Sequence, residues 1–178
     1  MIQIGASSAT IDSPIEHLGA CHRRIEQRLD ALVRAAGHIE KDRAAALAAI
    51  AGSLHFLDTS GALHTEDEEA SLFPRLRQHL AASEIEFLDA LETQHAEADA
   101  VSSELRKAQS ELIVCAESSP SLVGRYRECA EKLRSLYRAH IAAEDEILTA
   151  ISKRVLNDSE IAQISREMRD RRRRGPRA

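Results

Sequence analysis

Apolar residues recur at alternating three- and four-residue intervals along most of this chain, the spacing of helices that each bury one face. The first such stripe runs Ile15, Leu18, Ile25, Leu29 and Leu32. A second takes in Leu47, Ile50, Leu54 and Leu57, a third Leu88, Leu91, Ala98 and Leu105, and a fourth Leu133, Leu136, Ile147 and Ile151. Start and stop signals bracket each stripe. Ser13-Pro14-Ile15-Glu16 is a capping box with proline at the first helical position, and Gly37 is the expected stop after Ala36. Asp42 opens a second helix reaching Phe73, where Pro74 removes a backbone donor and is expected to kink or end it. Ser83 and Glu86 repeat the capping box for a third helix to about Ala116. The stretch ESSPS makes a turn, and a fourth helix runs from about Pro120 to Val155. Asn157-Asp158-Ser159 then precede a short fifth helix that ends in a run of arginines.

Four long helices joined by short turns predict an all-α protein, an up-down-up-down four-helix bundle with a short C-terminal fifth helix. The expected organisation is an N-terminal arm over 1–12, the bundle over 13–156, and a short helix with an Arg-rich tail over 157–178.

Composition supports this picture. The 178 residues are 43% hydrophobic and 30% charged, enough for one domain with a real core, and only 3% aromatic, which disfavours strands. The longest apolar runs fall well short of the ~20 residues of a membrane span, and MIQIGASSATIDSP lacks the basic start and apolar centre of a signal peptide. A cytoplasmic protein with no membrane span is expected. Cys21, Cys115 and Cys129 are odd in number and lack CxxC spacing, so neither a disulfide framework nor a thiolate zinc site is indicated. Net charge is −5, yet residues 166–178 hold seven Arg against Glu167 and Asp170. Without base-stacking aromatics this is no strong nucleic-acid signal, and a frayed, solvated helix end is the expected meaning.

The stripes also sort the eight histidines. His22 falls on the first stripe, whereas His17 lines up with Cys21, Arg24 and Arg28 on the polar side. The second stripe continues through Gly61 to His64 and Glu68, with His55 off it. His95 interrupts the third stripe, with Asp99 beside it. His140 and Glu144 interrupt the fourth. Two helices therefore show His-x-x-x-Glu at core positions, and residues at i and i+4 stand on one face about 6 Å apart.

A single histidine on an apolar stripe is ordinarily a structural residue. Four helices each offering one, two with a carboxylate at the same offset, differ, because two buried unpaired carboxylates would cost several kcal/mol each and no Lys or Arg shares the inner stripes. Four imidazoles and two carboxylates suit iron, manganese or zinc more than copper(I) or calcium. Six ligands exceed one tetrahedral zinc and fit two metals, each taking two histidines, with Glu68 and Glu144 bridging. An added oxo or hydroxo bridge leaves each ion room for a small exogenous ligand.

CHRRIE at 21–26, HTEDEEASLFP at 64–74, the lone His95 and HIAAEDE at 140–146 resemble the hemerythrin-like, or HHE cation-binding, family. The resemblance covers about residues 14–155. It implies iron, as two ions with oxo or hydroxo and carboxylate bridges, with an Fe/Mn pair as a variant. It also implies the metal ligands His22, His64, Glu68, His95, His140 and Glu144. Oxygen-carrying members place a second histidine one turn after the first on the third helix, where this chain has Asp99. The remaining set resembles the four-histidine, two-carboxylate centres of bacterial iron-centre repair proteins, which react with oxygen or nitric oxide.

The function expected from this is a non-haem di-iron protein that binds or reacts with O2, NO or peroxide, for sensing, scavenging or iron handling. A di-iron enzyme that decomposes peroxide or reduces NO is the nearest alternative, with Asp99, Tyr137 and Cys21 as candidate proton donors. Leu57, Leu91 and Leu136 are expected to limit water near the site. A metal-responsive interaction module acting through the Arg-rich end, or a metal-free helical scaffold, are the further alternatives. In HTEDEEASLFP, Glu66, Asp67 and Glu69 are expected to keep the outer face wet.

Overall fold

The structure, a computed structural model, describes residues 11, 13–115 and 119–175. Apart from Ile11, the expected arm over 1–12 lies outside the described residues, as do Ala116 at the expected end of the third helix, residues 117–118 of the expected turn and residues 176–178 of the tail. Every element among the described residues is helical.

Helix α1 (Pro14–His38) starts where expected, the Ser13 hydroxyl accepting from the Glu16 amide at 3.4 Å. It passes through Gly37 rather than stopping there, since one glycine weakens a helix by only about 1 kcal/mol. The second rod, Arg43–Leu76, opens on Asp42, whose carboxylate accepts from the Ala45 amide at 3.1 Å. It comprises α2 (Arg43–Phe56), a π-helical turn (Leu57–Gly61), α3 (Ala62–Asp67), a second π turn (Glu68–Leu72) and α4 (Phe73–Leu76). Pro74 does not end the rod. The wider π turn just before it relaxes the coil against which the proline ring would otherwise clash.

Helix α5 (Ala82–Val114) begins one residue before Ser83, so the expected Ser83/Glu86 box is replaced: Glu84 accepts from the Ala81 amide at 3.3 Å. The fourth rod, residues 120–155, joins α6 (Pro120–Ala143), a third π turn (Glu144–Leu148) and α7 (Thr149–Val155). Helix α8 (Asp158–Arg174) has a full capping box, Asn157 accepting from Glu160 at 3.1 Å and Glu160 from Asn157 at 2.9 Å. At 17 residues it is longer than the short helix expected.

Helix α1 packs against α2 and α6, and α5 against α6 and α2, so four rods surround one interior. That interior is apolar in two separate clusters. One gathers Ile25, Leu29, Ile50, Leu105, Tyr126 and Leu133, and the other Leu18, Leu72, Phe73, Leu91, Leu148 and Met168. On every rod one histidine falls between the two: His22 between Leu18 and Ile25, His64 between Leu57 and Leu72, His95 between Leu91 and Ala98, and His140 between Leu133 and Leu148. A polar layer thus crosses the bundle between two dry ends.

The rod Arg43–Leu76 is long and apolar enough, by length and composition, to cross a membrane. Its sequence is equally that of a bundle helix, with Ile50, Leu54, Leu57, Leu72 and Leu76 buried against the other rods.

Three expectations are corrected here. Ile147 does not face inward: it is 41% exposed, and Leu148 takes the core position. The π turn inserts an extra residue per turn, so a 3-4 spacing carried through it lands one residue short. The Arg-rich end, in turn, is not a frayed, solvated helix. Ile164 and Met168 of α8 are fully buried in the second cluster, and Arg171 is buried against Asp67, which is itself inaccessible rather than on a wet outer face. Arg171 and Arg172 each donate to a different oxygen of that carboxylate, both at 2.7 Å.

Candidate metal centre

The structure brings His22, His64, Glu68, His95, His140 and Glu144 together, all buried, from four rods. They form two overlapping groups. His22, His64, Glu68 and Glu144 offer ligand atoms all within 4.8 Å of one another, and so do Glu68, His95, His140 and Glu144. The two carboxylates belong to both groups and each group has its own pair of histidines.

Local helix geometry aims these side chains. His64 and Glu68, like His140 and Glu144, are one α-helical turn apart and close, at 3.4 Å and 3.2 Å. In each pair the glutamate opens a π turn, a rare element that recurs at functional sites. Glu144 also lies 3.1 Å from His22 Nε2, and Glu68 lies 3.5 Å from His95 Nε2. The Nε2 atoms of His95 and His140 are 3.0 Å apart.

Three residues that the helical pattern did not single out hold the rings from behind. Asp145 is 2.7 Å from His22 Nδ1, Glu69 is 2.8 Å from His95 Nδ1, and Gln94 is 2.9 Å from His140 Nδ1. Glu69 therefore does more than wet the outer face. The one signal available in the sequence is a repeat: an acid directly follows each inward glutamate, as Glu68-Glu69 and Glu144-Asp145. An acceptor at Nδ1 places the proton there and leaves Nε2 with its lone pair facing inward.

The donor set fits a cation. His22 Nε2 and all four carboxylate oxygens of Glu68 and Glu144 are buried without a hydrogen-bond partner. Such groups are costly to bury unless something converging on them takes their lone pairs. Without a metal, protons do part of this work. Burial opposes charge on His22, but the nearby carboxylates of Glu144 and Glu68 outweigh it and push the imidazole up to about 11. Burial and then Glu144 push Glu68 well above the carboxylate range. Burial would raise Glu144 too, yet His140 and His22 hold it well below the usual carboxylate value. Burial and the charge of His22 hold His64 well below its usual value, and burial with His140 lowers His95.

Beside this cluster lies a cavity of about 10 Å³ bordered by Gly19, His22, Glu68, Glu144, Asp145 and Leu148. It has room for the centre of one water-sized molecule.

The other candidates divide. Asp99 is exposed and belongs to neither group. The Cys21 thiol engages His17 and Arg24 at 3.5 Å and 3.2 Å. His17 itself, under α8, is lowered to about 4 by burial and by Arg172 and Arg24. Tyr137 is pushed up to about 12 by burial, then by Asp99 and Glu68, so its hydroxyl keeps its proton. Leu57 and Leu91 are buried and Leu136 partly so.

The family described as the hemerythrin HHE cation-binding domain matches residues 13–151, a segment that contains all six clustered residues and ends before α8. Comparison with curated proteins finds no match.

Proposed function

This chain belongs to the hemerythrin HHE cation-binding domain family, and on that premise we propose that it is a non-haem di-iron protein that binds or reacts with a small ligand, O2, NO or a peroxide. The observation that carries this reading is the pair of overlapping four-residue groups that share Glu68 and Glu144. His22 and His64 would hold one ion, His95 and His140 the other, and the two glutamates would bridge, within an up-down-up-down arrangement of the four long rods. Iron would supply the electrons and the binding orbitals for the small ligand.

The chain's own residues would do the rest. Asp145, Glu69 and Gln94 orient three of the rings, so that Nε2 rather than Nδ1 is offered inward. The apolar clusters on either side exclude bulk water, which strengthens each electrostatic contact in the layer between them. The cavity beside His22 favours a ligand of a few atoms over an organic substrate. Sensing, scavenging and iron handling are the roles that such a site serves.

One observation favours an enzymatic version that decomposes peroxide or reduces NO: the Tyr137 hydroxyl, kept protonated by burial and by the charges of Asp99 and Glu68, could deliver a proton. Stopped-flow spectra of the reduced, iron-loaded protein mixed separately with NO, O2 and hydrogen peroxide test both readings. A spectral change with at least one ligand supports the first, and consumption of many equivalents per site supports the second. Silence with all three removes the small-ligand reading.

A further inference from the structure

Helix α8 lies beyond the family-matched segment, yet its charged side chains close on the turn that carries Glu68. Asp67 directly precedes Glu68 and the π turn Glu68–Leu72, and Ser71 lies within that turn, three residues after Glu68. Both are fully buried. Arg171 donates to the Asp67 carboxylate at 2.7 Å and, through its other terminal nitrogen, to the Ser71 hydroxyl. That hydroxyl donates in turn to Glu167 of α8 at 2.5 Å, and Glu167 is bound by Arg75 at 2.8 Å. Arg75 also donates to the Ser71 carbonyl at 2.7 Å. Arg172 takes the second Asp67 oxygen.

We propose that α8 is a clamp on the metal-bearing turn, in which Arg171, by gripping Asp67 and Ser71 together, positions Glu68 and slows metal loss. This rests on the reading of the six-residue cluster as a metal centre. The apolar residues Ile164 and Met168 already anchor α8 to the bundle. A buried ion pair adds little net stability over that, because desolvating two charges nearly cancels their attraction. What a planar guanidinium fork adds is direction: it fixes two partners in one plane at set distances. Here the two partners bracket a ligand on a π turn, an interruption of the α-helical hydrogen-bond ladder around it. Arg171 is thus a positioning residue acting through Asp67 and Ser71.

The test uses the full chain loaded with ferrous iron, measuring the rate of iron release to excess ferrous chelator, the optical spectrum of the oxidised site and the melting temperature. Arg171→Lys keeps the charge but loses the fork, and Ser71→Ala removes one hydroxyl without leaving a charge unpaired. Leu112→Ala, in the other apolar cluster, controls for plain loss of stability. The clamp predicts release on the order of tenfold faster in both variants, with a shifted spectrum, and release at the unaltered rate in Leu112→Ala. Unaltered release in both variants, or equal acceleration by Leu112→Ala, overturns the proposal. Should Arg171→Lys not fold, Ser71→Ala alone decides on the same criteria. A wild-type chain that takes up no iron is a different failure: it removes the metal-centre reading, and the clamp with it.

Discussion

Asp145 Oδ1 stands 2.7 Å from His22 Nδ1, although the two residues sit on different rods. Glu69 stands in the same relation to His95, at 2.8 Å. Each of these π turns therefore sends its first acid into the polar layer and its second to the back of a histidine on a neighbouring rod. Adjacent residues on a helix point about 100° apart, which lets one turn serve two directions.

Replacing the second acid should loosen the metal without unfolding the bundle. Asp145→Asn and Glu69→Gln keep the size of the side chain but weaken the hold on the ring, and each is expected to lower metal affinity about 10- to 100-fold. Competition titration against a chelator of known affinity measures this, with circular dichroism to confirm that the helices persist. Affinity within twofold of the parent would show that these carboxylates do not tune the site.

His22 and His17 offer a contrast on a single helix. His22→Ala should lower bound iron by at least half, since one of the two groups loses a histidine. His17→Ala should leave iron content unaltered, because His17 engages Cys21 and lies outside both groups. Metal analysis of the two purified variants decides the matter, and a reversed outcome would mean that α1 is turned the other way.

Acidity should act in opposite directions on the metal-free and loaded forms. In the metal-free protein His22 is raised from 6.5 to about 11, so the folded state holds a proton that the unfolded state releases. That stabilisation is fully present below pH 6.5 and is lost as pH rises through about 11. Metal uptake must expel the same proton, so loading should release protons and weaken as pH falls. Urea melts of the metal-free chain between pH 6.5 and 10, and proton release on loading in weakly buffered solution, read the two effects. Loading with no proton release would contradict this arrangement.

The register shift in the third π turn has its own consequence. Leu148→Ala should destabilise the chain by about 2–5 kcal/mol, the usual cost of emptying a packed leucine site. Ile147→Ala should cost within about 1 kcal/mol, because the side chain is already partly in water. Urea denaturation of the metal-free proteins gives both values, and equal losses would place Ile147 in the core after all.

These comparisons show what the sequence discloses and what it withholds. The six clustered residues are legible because a period of 3.6 assigns faces reliably along each α-helical stretch: His22 and His95 stand on uninterrupted α-helices, Glu68 and Glu144 are the first residues of their π turns, and the four-residue step from Leu57 to Gly61 carries the second stripe across the earlier π turn to His64. Ile147 is misread because the same period, carried through a π turn, slips by a residue. Asp67, Glu69 and Asp145 escape for another reason. The pattern along one helix reports the direction a side chain faces, while their roles depend on Arg171, His95 and His22, which other rods bring within reach only in the folded chain. The arginines of α8 look like a solvated run because charge alone does not disclose that Ile164 and Met168 press that helix onto the bundle.

The central claim is that Glu68 and Glu144 are shared by two metal ions. Metal analysis of the full chain purified from iron-supplied cells tests it most directly, repeated on Glu68→Ala and Glu144→Ala. About two irons per chain are expected in the parent, with each single variant losing both rather than one, since each carboxylate serves both groups. A fully folded parent chain that carries no metal, or a variant that keeps one ion at full affinity, would contradict it.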